Sequence, residues 1–135
     1  NKDLDNLALI LKDNSIKNIR LPVSAPFHSS LMSKATNIMS EEINKLEFKD
    51  SQNKLISNVT AEEIENTSEL KGLLIQQIES RVRWRESVIN MIKKDINHFI
   101  EIGPGKVLSG LVKRINKEVK INTINNQDDI ENLKI

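Results

Sequence analysis

A chain of 135 residues with 20 basic and 19 acidic side chains, net charge +1, is one domain or part of a larger one. Its charges are interspersed, which argues against a nucleic-acid-binding surface or a polybasic membrane patch. The absence of cysteine excludes disulfides, thiolate metal sites and cysteine nucleophiles, and fits a reducing cytosol.

No apolar run approaches the ~20 residues of a membrane span, and no signal peptide is visible. The first residue is Asn1 rather than Met, so a fragment or a processed product is expected. Leu4, Leu7, Ala8 and Leu11 recur at helical spacing and predict a helix ending near Asp13. Residues 16–23 read as a strand, with Pro22 marking an edge or an end. The segment "LPVSAPFHSSLM", 21–32, is extended and interrupted by proline, and it delivers His28. Ser29 or Ser30 is placed to cap a helix running to about Lys45, with Leu31, Ala35, Ile38, Met39, Ile43 and Leu46 as its apolar stripe.

"KLISNV", 54–59, reads as a short strand, and Thr60 with Glu63 forms a capping pattern after it. Helices are predicted over 70–78 and over about 84–94. "INHFIEIG", 96–103, is the best strand candidate, apolar enough to be covered on both faces. Gly103-Pro104-Gly105 then turns into a helix that buries Val107, Leu108, Leu111, Val112 and Ile115. "VKINTI" is a last strand, and 128–133 a last helical turn. The alternation indicates an α/β class with at least partly parallel pairing.

Two histidines invite chemistry. His28 suits acid–base work, its ordinary pKa being ~6.5, or it is a loop histidine bonded to backbone. Ser29 and Ser30 adjoin it, but sequence neighbours rarely form a triad and neither sits in a Gly-x-Ser-x-Gly elbow. His98 lies inside a strand and reads as a strand-face residue. Neither histidine belongs to a metal-ligand pattern, so no metal is expected. "GPGK" lacks the remainder of a phosphate-binding loop and reads as a tight turn. "RVRWRES" could bind an anionic partner. The simpler reading is a helix start, with Trp84 in the core and its arginines solvated or paired with Glu79 and Glu86.

Taken in order, "LPVSAPFHSSLM", "LISNVTAEEI", "QQIESRVRWRESVINM" and "FIEIGPGKVLSGLVKRI" resemble the C-terminal half of the malonyl-CoA:acyl-carrier-protein transacylases. The resemblance covers nearly the whole chain, most strongly residues 19–115. It implies an α/β-hydrolase-like large subdomain with a ferredoxin-like small subdomain inserted in it. Residues 1–21 would end the small subdomain, and residues 22–135 would form the C-terminal part of the large acyltransferase subdomain.

The activity so implied is transfer of a malonyl group from malonyl-CoA to the phosphopantetheine thiol of acyl carrier protein, in fatty-acid biosynthesis in the cytoplasm. It runs by a ping-pong mechanism through a serine ester and uses no resident cofactor. His28 matches the family's catalytic histidine. Gln77, seven positions before Trp84, matches the residue whose backbone carbonyl orients the imidazole. Phe27 matches a position bearing on acyl choice, and Asn58 a segment lining the cleft.

The family's Gly-His-Ser-Leu-Gly segment is not in this sequence, nor are its carboxylate-gripping arginine and Gln-rich loop. All belong to the N-terminal half, which becomes an expected partner, and the chain alone is expected to be inactive. An alternative from another class is a non-catalytic module docking acidic acyl carrier protein through Lys113, Arg114 and Lys117 with Arg81, Arg83 and Arg85.

Overall fold

The computed structural model describes residues 2–20 and 23–133. Helix α1, Lys2–Asp13, has Asp3 and Asp5 in its first turn and Lys12 in its last, an order that complements the helix dipole. A 3₁₀ turn, Ser30–Met32, leads into α2, Ser33–Lys45, which packs on α3, Thr67–Gln76. Helix α4, Trp84–Lys93, precedes strand β1, His98–Ile102. Helix α5, Val107–Ile115, carries the chain back to strand β2, Lys120–Ile124, and α6, Gln127–Glu131, follows. Asn126 caps α6, its side-chain oxygen accepting the Asp129 N–H at 3.1 Å.

β1 and β2 pair in parallel, with Phe99 opposite Ile121 and Ile102 opposite Ile124. A parallel pair needs a crossover, and α5 supplies it. Val88 of α4, Val112 of α5 and Val119 at the foot of β2 are buried together, with Trp84, Phe99 and Ile121 packed around them. The core thus sits where α4 packs on α5 and α5 packs on both strands. On the other face of the sheet the β1 isoleucines are uncovered. Ile102 is 78% exposed and Ile100 is also exposed, although their sequence predicts cover on both sides. Successive strand residues point to opposite faces, and the buried cluster takes Phe99 and Ile121 from one of them.

Other expectations need correction. Residues 16–20 form no strand, and the remainder of that prediction includes residues 21–22, which lie outside the described residues. A strand needs a neighbour for its backbone groups. This segment folds against α1 instead, through Ile16 N–H to the Leu11 carbonyl at 2.8 Å and the Arg20–Asp5 ion pair at 2.7 Å. Residues 54–59 make only one antiparallel bridge, Ile56 to Glu63. "TAEE" builds a turn, not a helix start. The hydroxyls of Ser57 and Thr60 accept the Val59 and Glu62 N–H groups, and such local bonds compete with helix. Neither Ser29 nor Ser30 caps α2, whose N-cap position is Met32.

Candidate active site

The predicted extended segment ends in a turn with Phe27 and His28 at its centre. His28 has φ 60, in the left-handed region, a conformation that costs a residue with a Cβ about 1–3 kcal/mol and persists only where its surroundings impose it. They do. The His28 N–H donates to the Ile78 carbonyl at 3.2 Å, and Nδ1 lies 2.9 Å from the Gln77 carbonyl oxygen. Gln77 is the C-cap of α3, where helix carbonyls lack intrahelical partners. A carbonyl can only accept, so Nδ1 carries the proton. The neutral ring then keeps its lone pair on Nε2.

Asn58 enters from the turn after Ser57. Its carbonyl accepts the Arg83 N–H at 3.0 Å, and the Arg83 Nη1 donates to the Thr60 carbonyl at 2.9 Å. Asn90 Nδ2 donates to the Ala61 carbonyl at 3.0 Å, so α4 and the residue before it hold this turn at three points. Ala61 is buried at φ 63, a second left-handed residue imposed by its neighbours.

Phe27, His28, Asn58 and Gln77, all singled out in the sequence, line a single cleft of about 640 Å³. Its remaining walls are apolar, including Met39 and Ile43 of α2 and Leu74 of α3. A base with one oriented nitrogen, set in a mostly apolar cleft of this size, is suited to take up a proton at Nε2 from a group bound there. Sequence reasoning missed the Ile78 carbonyl and the Arg83 and Asn90 contacts. Backbone acceptors leave no trace in residue type, although the stripe of α2 did contain Met39 and Ile43.

The other candidates lie elsewhere. His98 Nε2 is 2.7 Å from Asn122 Oδ1 of the neighbouring strand. At the "GPG" turn, Gly103 and Gly105 have φ 133 and 101. The Glu101 carboxylate accepts the Leu108 and Ser109 N–H groups at 3.0 and 2.8 Å, so the N-terminus of α5 is filled by the chain's own anion. Glu86 lies 2.8 Å from Arg81 and 3.6 Å from Arg83, while Trp84 joins the core. Its carboxyl is held below the ordinary value, first by its own backbone N–H and then by the two arginines. Among the described residues no three His, Asp or Glu side chains are grouped to hold a metal.

No family model matches the chain. Over 131 residues it is 40% identical to the malonyl CoA-acyl carrier protein transacylase of Bacillus subtilis, covering 96% of this chain and 41% of that protein. The chain is a relative of the malonyl-CoA–acyl carrier protein transacylases. Its fold is part of their acyltransferase domain. It superposes on an acyl-carrier-protein-S-malonyltransferase from Bartonella henselae with a TM-score of 0.85 and 37% identity, over 96% of this chain and 42% of that one. It superposes equally, at TM-score 0.85 and 27% identity, on a malonyl-transacylase in complex with a type II PKS acyl-carrier protein, over 96% and 42% of the two chains. The chain thus spans about two-fifths of the length of the curated relatives it matches.

Proposed function

We propose that this chain carries the base of a malonyl transferase and the carbonyl that orients it. The substrates are malonyl-CoA and the phosphopantetheine thiol of an acyl carrier protein, in fatty-acid synthesis in the cytoplasm. A serine supplied by the remaining, N-terminal part of the enzyme is the nucleophile. His28 Nε2 takes the serine proton as the oxygen attacks the malonyl thioester, and the imidazolium returns it to the departing coenzyme A thiolate. In the second half the carrier thiol gives its proton to Nε2 and attacks the malonyl ester, and serine leaves with that proton. Gln77 acts through its carbonyl, which holds Nδ1–H and favours the imidazolium as it forms. The chain needs no resident cofactor for this.

The observation that carries the reading is the 2.9 Å contact of His28 Nδ1 with the Gln77 carbonyl inside a cleft also lined by Phe27 and Asn58. In that cleft Phe27 crowds a branched acyl group, and Asn58 offers an amide to the substrate. Residues 1–21 end a ferredoxin-like small subdomain and 22–135 belong to the large one. In support, α1 packs on no other helix or strand among the described residues. A purely non-catalytic docking module is less favoured, because Glu86 already engages Arg81 and Arg83, and Lys113 Nζ donates to the Lys117 and Val119 carbonyls.

The test is complementation. The chain is mixed with a separately produced N-terminal segment of the Bacillus subtilis relative, and malonyl transfer from malonyl-CoA to acyl carrier protein is measured. Activity from the mixture, absent from either piece and lost with His28→Ala, is expected. No transfer by two folded, associated pieces would overturn the assignment of His28 as base.

A further inference from the structure

Ser29 neither caps α2 nor stands in a nucleophile's setting, yet it is tied to the candidate site. Its hydroxyl donates to the Pro26 carbonyl at 2.8 Å. That bond bridges the turn whose central residues are Phe27 and His28. His28 sits at φ 60, where a residue with a Cβ stays only if its surroundings over-determine it. Two bonds tie the tip of the turn to the end of α3, from His28 N–H to Ile78 and from Nδ1 to Gln77. Both acceptors are main-chain carbonyls. The bond across the base of the turn is made by the Ser29 side chain, so a single substitution removes it while leaving the imidazole in place. Ser29 itself is extended, φ −143 and ψ 163, a region that β-branched residues adopt readily. Threonine therefore fits the position and keeps the hydroxyl.

We infer that Ser29 is a positioning residue: its hydroxyl closes the 26–29 turn and thereby holds the His28 ring in the Nδ1–H form against the Gln77 carbonyl. Only the consequence for malonyl transfer rests on His28 being the base. Losing the bond frees the turn to leave the left-handed conformation. The ring then swings off Gln77, and the proton is shared between the two nitrogens.

The experiment is two-bond ¹H–¹⁵N correlation of the imidazole nitrogens in this chain, at about pH 8.5, above the ordinary imidazole pKa of ~6.5. His28→Asn assigns the signals. The chain as it stands should show widely separated ring nitrogens, with Nδ1 protonated. Ser29→Ala should bring the two shifts together by about half. It should also speed exchange of the His28 amide by about tenfold, as the turn opens locally. Ser29→Thr should restore both. Ser29→Cys, near in size but a much weaker donor, is the second variant should alanine unfold the loop, and it should behave as alanine is expected to.

An unchanged tautomer and an unchanged exchange rate in a folded Ser29→Ala or Ser29→Cys chain overturn the inference. So does a folded Ser29→Thr chain that fails to restore them. None of these outcomes touches the role of His28 as base, which stands or falls on the complementation assay.

Discussion

His28 Nδ1 and the Gln77 carbonyl oxygen meet at 2.9 Å across a separation of 49 residues. Because the acceptor is main-chain, the contact survives most changes at position 77, whereas nothing replaces the imidazole. In the complemented enzyme His28→Ala should lower kcat by about 10²–10⁴-fold, while Gln77→Ala should change it by less than about threefold. His28→Asn should be as inactive as the alanine variant yet more stable, because asparagine tolerates the left-handed backbone at φ 60. Steady-state kinetics and thermal unfolding check the pair.

The core is small, so its centre matters. Val88 of α4 is fully buried, clustered with Val112 of α5 and Val119. Val88→Ala removes two methyl groups and leaves a cavity. It should cost about 2 kcal/mol, or about 7 °C in Tm for a chain of this length. Calorimetry measures it directly.

Glu63 joins the 57–63 turn to α4. Its carboxylate lies 2.9 Å from both Lys54 and Lys94. Hydrogen bonds from Lys94 first, then from Lys54, hold its carboxyl below the ordinary value of 4.5. Stability from these bonds is therefore complete above about pH 4.5 and disappears as the pH falls through the lowered value. Glu63→Gln should lower Tm at neutral pH, and the difference from the parent chain should vanish in acid. Thermal unfolding from about pH 7 to about pH 3 follows the convergence. A constant difference across that range would count against the ion pairs.

Arg83 anchors the turn that brings Asn58 into the cleft, through its own N–H and through Nη1 to the Thr60 carbonyl. Arg83→Ala leaves the backbone bond and removes the charged one. The Ala61 amide, which donates to Ser57 at 2.8 Å, should then exchange about tenfold faster, in keeping with one lost charged hydrogen bond. Amides of β1 should exchange at an unchanged rate, and mass-resolved hydrogen exchange separates the two regions.

The sequence by itself determined the helices and the parallel pair, because their signals are local. Leu4, Leu7 and Leu11 announce α1 by spacing alone, and "HFIEI" and "KINTI" are dense in β-branched residues and separated by one helix. It also singled out Phe27, His28, Asn58 and Gln77, through the motifs of a known family. Tertiary structure decided what periodicity does not carry. The apolar stretches at 16–20 and 54–59 are not strands, since a strand exists only where another strand takes up its backbone groups. Ser29 bonds Pro26 instead of capping α2, and the end of α3 turns its carbonyls toward His28. Those choices depend on which unpaired donor meets which unpaired acceptor after the chain has folded back on itself, and residue type alone does not record that meeting.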